Sequence, residues 1–175
     1  MAGMSIVIGA TAYVSLGGFT GALIFSIGLY LVLWYGLDLY TGKVGYATEM
    51  RDVGKLLLIF IGNAIGCALA LLIPPGPVVA GIAAAKLSTH LIIAFFKAII
   101  CGILIYAGVD QYRKQKEYAP LIAVPAFILA GAEHCIADIC YFIMARCFTL
   151  EALIFILIVA IGNAIGSILW RRLTT

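Results

Sequence analysis

The sequence predicts an all-α membrane protein with six transmembrane helices, arranged as two related halves of three helices each. Three features predict it: an apolar composition, six apolar segments and a motif that occurs twice. Of 175 residues, 65% are hydrophobic and 11% are charged, and the mean hydropathy is +1.16. Soluble domains have about 25% charged residues. Because so few polar residues cannot cover a soluble domain, we expect a lipid bilayer to surround the chain.

Six apolar segments follow one another along the chain, and a spanning helix needs about 20 apolar residues. Polar stretches interrupt the second and fifth helices, at Gly36-Leu37-Asp38 and at Gly131-Ala132-Glu133. We expect one transmembrane domain, 1–175, with halves of about 1–77 and 78–175. The segments cover 1–16, 18–37, 56–73, 91–109, 120–146 and 150–170.

The basic residues predict the orientation of the chain, because cytoplasmic loops carry an excess of lysine and arginine. If all six segments cross, eight of the eleven basic residues lie on one side, after segments two, four and six. Lys86 and Arg146 lie on the other side, and Lys97 lies within segment four. Both termini are therefore predicted to be cytoplasmic. The eight are Lys43, Arg51, Lys55, Arg113, Lys114, Lys116, Arg171 and Arg172.

A six-residue motif, Ile-Gly-Asn-Ala-Ile-Gly, occurs at 61–66 in segment three and again at 161–166 in segment six. Two successive units of three helices must point in opposite directions across a membrane. Such inverted repeats are typical of transporters, whose sites lie at helix breaks near the midplane. The glycines alone also fit close helix packing, but the asparagine adds a polar group that packing does not require.

Asp38 and Glu133 stand at the two breaks, and ionisable residues in spans indicate function by default. We favour a capping role, in which each carboxylate accepts free amide hydrogens of the helix that follows. Thr41 adds a hydroxyl at the first break. Irregular backbone at this depth requires protein or a water-filled cavity around it, so we expect a partly polar interior.

His134 is the one histidine deep in a span, since His90 lies near a helix start. Its imidazole can donate a hydrogen bond to an anion or take up a proton near neutral pH; a structural histidine bonded to a backbone carbonyl is the alternative. A metal site with Cys135 and Asp138 lacks partner ligands at a usual spacing. Apolar rings surround this region at helical spacing, and such rings close pores by dewetting; they are Phe127, Phe25 and Leu29.

These motifs together resemble the formate/nitrite transporter family. Its members carry stretches like G-x-D-L-F-T at the first break and E-H-S-x-A-N at the second. Here the stretches read Gly-Leu-Asp-Leu-Tyr-Thr at 36–41 and Glu-His-Cys-Ile-Ala-Asp at 133–138. Gly-Asn-x-x-Gly follows in segments three and six. Asp138 departs from the usual asparagine, and Ala132 replaces an aromatic residue before the Glu-His pair.

The resemblance implies an aquaporin-like protomer with its own pore for small monovalent anions, assembled into homopentamers in the lipid bilayer. It places Thr41 and His134 as the central polar pair with Asn163 nearby, and Lys86 as a candidate lysine of the outer vestibule. It also implies two constrictions, each a pair of apolar side chains. Leu39 pairs with Phe127 on the outer side, and Phe25 pairs with Leu29 on the cytoplasmic side.

We therefore expect a channel or transporter for anions such as formate, nitrite or hydrosulfide, with no cofactor, no enzymatic activity and no nucleic-acid partner. Lys86 attracts the anion, burial raises its proton affinity, and His134 donates a hydrogen bond or a proton. An aquaporin-like pore for neutral solutes shares the architecture but expects an Asn-Pro-Ala pair, which is absent. A metal-dependent intramembrane enzyme using His134 with cysteines is the remaining alternative.

Overall fold

The computed structural model describes residues 1–47, 49 and 51–174, and their regular structure is entirely helical. The 3-10 helices Val44–Tyr46 and Cys67–Leu72 follow α3 and α4. The α-helices are α1 (Ala2–Leu16), α2 (Gly18–Trp34), α3 (Tyr40–Lys43), α4 (Arg51–Gly66), α5 (Pro77–Ser88), α6 (Leu91–Arg113), α7 (Ala119–Leu129), α8 (Cys135–Met144) and α9 (Leu150–Thr174).

Three helical stretches of the described chain are long and apolar enough to cross a membrane: Arg51–Leu72, Leu91–Arg113 and Leu150–Thr174. Shorter apolar helices, α1, α2, α5, α7 and α8, accompany them. No helix is predicted from the sequence for residues 78–85, although they form most of α5. Pro77 stands in the first turn of α5, where its missing N–H is not needed, and four alanines follow with the best helix propensity.

The chain breaks at both predicted stretches, and the helix before each break ends in the same way. The amide of Gly36 donates to Leu33 and that of Leu37 to Val32, which is the Schellman pattern. At the end of α7 the amides of residues 131 and 132 bond to residues 128 and 127. Gly36 and Gly131 have φ of 59° and 64°, the left-handed region that glycine adopts without steric cost.

Close backbone approach joins α1 to α4 and α6 to α9. A Cβ atom at Gly3 would clash with the backbone of Asn63, and one at Gly102 would clash with that of Asn163. In lipid, small residues allow helices to approach until backbone atoms touch. This packing brings the asparagine of each repeated motif against the interior of the fold.

Most of the basic residues lie at one end of the molecule. Arg113 stacks 4.2 Å from the ring centroid of Tyr46, and Arg171 donates to the Gly45 carbonyl at 3.2 Å. At the opposite end, Arg146 donates to the Leu71 carbonyl at 2.7 Å. The distribution follows the predicted charge asymmetry.

Candidate functional site

The two asparagines of the repeated motif hold the two breaks with the same hydrogen bonds. Asn63 donates from Nδ2 to the Asp38 carbonyl at 2.9 Å and accepts the Tyr40 amide at 2.9 Å. Asn163 donates to the Glu133 carbonyl at 2.8 Å and accepts the Cys135 amide at 3.0 Å. Each side chain thus bridges the carbonyl and the amide that a break leaves unpaired two residues apart.

Asn163 is fully occupied by this role. Its second N–H donates to the Ala98 carbonyl at 2.8 Å, and the residue is 0% exposed. A primary amide has two N–H donors, so neither remains for a passing anion. The resemblance implies that Asn163 lies on the substrate pathway near the central polar pair, whereas the structure places its amide behind the second break.

The predicted capping role of Asp38 is wrong in this structure. No side-chain hydrogen bond caps α3, whose N-cap is Leu39, and the Asn63 oxygen accepts the Tyr40 amide instead. The Asp38 side chain is 48% exposed and pairs with Lys43 at 2.8 Å. Because Asp38 lies near the basic end of the molecule, its carboxylate turns to a charged partner there.

The predicted capping role of Glu133 is also wrong, because the next residue performs it. His134 is the N-cap of α8, and its Nδ1 accepts the Ala137 amide at 3.1 Å. The Glu133 carboxylate, whose side chain is 6% exposed, accepts a hydrogen bond from Lys86. A buried carboxylate needs a charged or hydrogen-bonded partner, and Lys86 supplies one.

His134 and Thr41 meet at the centre of the fold. The distance from His134 Nε2 to Thr41 Oγ1 is 2.9 Å, and both residues are buried. Because Nδ1 accepts a backbone hydrogen, the proton of the neutral ring belongs on Nε2. This N–H donates to Thr41, and the Thr41 hydroxyl hydrogen is free to point elsewhere. The two residues that the resemblance paired are therefore in direct contact.

A cavity of about 230 Å³ opens beside His134. Four charged side chains of the described residues line it: Lys86, Lys97, Glu133 and Asp138. Lys86 Nζ contacts both carboxylates and lies 2.7 Å from Asp138 Oδ1. The cavity is large enough for a small anion with several waters, and it places Lys86 within the candidate vestibule.

The apolar constriction residues are all buried, but the structure groups them differently from the resemblance. Phe127 stacks on His134 with ring centroids 5.6 Å apart and meets Phe25 edge to face at 6.1 Å. Leu29 and Leu39 instead line a second cavity of about 20 Å³, together with Lys43 and Arg113 at the basic end. The two phenylalanines thus form one apolar constriction beside His134, and the two leucines lie nearer the basic end of the molecule.

Two charged residues of the cavity were not among the predicted pathway residues. Lys97 is half-buried on α6, and Asp138 lies in the first turn of α8. A lysine inside an apolar span is a functional signal by default, so Lys97 could have been selected from the sequence. Nothing in the sequence shows that Asp138 contacts Lys86, 52 positions earlier in the chain.

The described residues include no group of three or more histidine, cysteine, aspartate or glutamate side chains that could hold a metal ion. The buried cysteines around the second break are free thiols. The hydrogen-bonding groups that line the cavity are the ammonium groups, the carboxylates, the His134 imidazole and the hydroxyls of Tyr13, Thr89 and Tyr141. This arrangement can attract, orient and desolvate a small charged solute.

Comparison with known proteins identifies close structural relatives. The family model described as "Formate/nitrite transporter" matches residues 1–174. A solved "FNT family ion channel" superposes with a TM-score of 0.88 at 24% identity, covering 99% of this chain and 85% of that one. A "Pentameric formate channel with formate bound" gives 0.77 at 20% identity, covering 99% and 90%. No curated protein matches by sequence.

Proposed function

Because the chain belongs to the formate/nitrite transporter family, we propose that it is a membrane channel for small monovalent anions such as formate, nitrite or hydrosulfide. The observation that carries the proposal is the buried His134–Thr41 pair, 2.9 Å apart, beside a charged cavity and the apolar constriction of Phe25 and Phe127. Hydrogen-bond donors enclosed by apolar walls stabilise an anion that has lost part of its water.

The proposed architecture is a protomer of six spans in two inverted halves. The equivalent hydrogen bonds of Asn63 and Asn163 support it, as do the two Schellman turns at Gly36 and Gly131. Both termini lie on the cytoplasmic side in this proposal, because the basic end of the molecule contains Arg113 and Arg171. The cavity beside His134 then opens away from the cytoplasm.

The pathway begins with capture in the outer cavity. Lys86 and Lys97 bring two positive charges to its wall, beside the carboxylates of Glu133 and Asp138. A positive charge in a cleft with low-dielectric walls attracts anions. Lys86 is held by Glu133 and Asp138, whereas no described residue forms an ion pair with Lys97. Lys97 is therefore the freer of the two lysines to meet the anion.

In the next step the anion loses water at the apolar constriction formed by Phe25 and Phe127. Burial disfavours the charged form of a weak acid, so the anion needs a hydrogen-bond donor or a proton at this point. The Thr41 hydroxyl is that donor, because its hydrogen is free while its oxygen accepts the Nε2–H of His134. A protonated imidazole would put a hydrogen on Nδ1, which already accepts the Ala137 amide. In our proposal His134 therefore donates a hydrogen bond and does not relay a proton.

Reconstituted protein tests the proposal and separates it from a neutral-solute pore. We expect proteoliposomes to take up formate, nitrite and hydrosulfide well above the rate of protein-free liposomes, which measure leakage of the neutral acids through lipid. Swelling in glycerol or urea gradients should match the protein-free control. Rapid swelling without anion uptake would contradict the anion channel and support the aquaporin-like alternative.

A further inference from the structure

The carboxylate of Asp138 contains an unsatisfied buried oxygen. Its Oδ1 accepts from Lys86 at 2.7 Å, whereas Oδ2 is buried and has no hydrogen-bond partner among the described residues. The side chain is 1% exposed. An unpaired buried acceptor is rare and costs about 1–3 kcal/mol. The ionised carboxylate is therefore one hydrogen bond short at Oδ2.

The charges around Asp138 indicate what is missing. Glu133 is the second carboxylate of this cluster, and both carboxylates share the single ammonium group of Lys86. With both ionised, this three-residue cluster has a formal charge of −1 in a buried place. Burying a net charge is strongly unfavourable. One proton on a carboxylate makes the cluster neutral, and Oδ2 is the oxygen free to carry it.

The proton would also change the charge of the whole cavity. Two lysines and two carboxylates give its lining a formal charge of zero. A proton on Asp138 leaves two positive charges and one negative charge, so the lining becomes +1. His134 contributes no charge, because both of its nitrogens are engaged as in a neutral ring.

The other titratable groups near Asp138 are poor alternatives for this proton. They are phenols, thiols and one further ammonium group, which are classes of side chain whose ordinary pKa values lie above neutral pH. They come from α1, α6 and α8: Tyr13, Lys97, Cys101, Cys135, Cys140 and Tyr141.

We propose that Asp138 holds an exchangeable proton on Oδ2 and thereby sets the charge of the outer cavity, so that protonation admits anions and deprotonation excludes them. The proton comes from bulk water by way of the cavity and returns there; no other bond changes. Asp138 thus determines specificity for charge within the pathway, and the inference rests on the proposed function. In this protein the titratable switch is a carboxyl group in the vestibule, separate from the central imidazole.

The substitution Asp138→Asn tests this directly, because asparagine has the shape of protonated aspartate and cannot ionise. Formate uptake is measured with equal pH on both sides of proteoliposomes, and the flux of the variant is divided by that of wild type at each pH. Because formate is protonated to the same extent in both measurements, its own titration does not affect this ratio. We expect it to be near one at mildly acidic pH and to rise roughly tenfold at mildly alkaline pH. A ratio that does not change with pH overturns the proposal.

Glu151→Gln is the matched control, since Glu151 is an exposed carboxylate at the start of α9 that does not line the cavity. Its ratio should stay near one throughout. If the flux ratio of this variant also rises with pH, the effect does not depend on Asp138, and the proposal is wrong.

Infrared spectroscopy of the wild-type protein supplies a readout that needs neither transport nor a folded variant. We expect the carbonyl stretch of a buried protonated carboxylic acid at neutral pH, shifted in heavy water and lost as pH rises. A wild-type spectrum without that band contradicts the proposal. If wild-type protein takes up no small anion, the proposed function fails, and the infrared band still decides whether the proton is held.

Discussion

His134 divides two tasks between its two ring nitrogens. Nδ1 accepts the Ala137 amide and begins α8, while Nε2 faces Thr41 at 2.9 Å. The backbone therefore selects the tautomer, because a nitrogen that accepts a hydrogen bond cannot also carry a proton. The result is an N–H donor of fixed direction at the centre of the proposed pathway.

Replacement of Thr41 by valine removes the hydroxyl and nearly preserves the shape. We expect formate flux to fall about tenfold, because one hydrogen bond contributes about 1–1.5 kcal/mol and 1.4 kcal/mol is a factor of ten. Thr41→Ser keeps the hydroxyl and should conduct at nearly the wild-type rate. The comparison is made by uptake into proteoliposomes, and equal fluxes for the valine and serine variants would exclude a role for the hydroxyl.

At the scale of elements, the two breaks are stabilised from behind by helices far away in sequence. Asn63 on α4 holds the first break and Asn163 on α9 holds the second. The amide side chain suits this position because its N–H group donates to a backbone carbonyl and its oxygen accepts a hydrogen bond from a backbone amide. The repeated motif thus stabilises both interrupted helices, because its asparagine pairs the backbone groups that each break exposes.

Leucine at position 163 should destabilise the fold more than leucine at position 63. The first change removes three hydrogen bonds to the backbone and the second removes two, at roughly 0.5–1.5 kcal/mol for each bond. Thermal unfolding in detergent measures the difference. A variant Asn163→Leu that unfolds like wild type but has lost its flux would show that this amide acts on the anion after all.

The sequence predicted the position of both breaks but not the side chains that satisfy them. Glycine followed two residues later by an acid marks a helix end, and those ends are where they were expected. The sequence predicts capping by Asp38 and Glu133 because each is adjacent to a break. The acceptor at the first break is instead the side-chain oxygen of Asn63 on α4. Only the packing of Gly3 and Gly102 against the repeated motif reveals which helix lies behind each break.

The cavity was only partly predictable for a related reason. Lys86, His134 and Thr41 were identified by resemblance, but Lys97 and Asp138 were not selected. Most helices in this chain, including α6 with Lys97, are apolar on all sides, so no polar face shows which of their residues point inward. Burial in the finished fold decides that, and it depends on contacts between distant segments.

At the scale of the whole molecule, α4 shows an unpartnered apolar face. Asn63 is the one buried residue among those described in α4, and large side chains on the same helix are exposed, namely Leu57, Leu58, Ile61 and Ile65. Such a face packs against lipid or against another protomer. One structural relative is a pentameric channel, and we propose the same assembly here.

Native mass spectrometry from detergent checks the assembly. We expect a complex of five times 18.6 kDa, because the exposed face of α4 offers a surface on which the helices of a second protomer can pack. Purified monomers that still conduct anions after reconstitution would contradict the pentamer while leaving the pore of each protomer intact.

The most direct test of the account replaces His134 by asparagine. Asparagine is a good N-cap, so its side chain can still accept the Ala137 amide, but it offers no imidazole N–H to Thr41 or to the anion. The matched control is His90→Asn, because His90 is the other histidine of the chain and also caps a helix, α6, outside the cavity. We predict that both variants unfold at the wild-type temperature, and that only His134→Asn loses formate uptake, by about tenfold or more. Full uptake by folded His134→Asn protein would contradict the account.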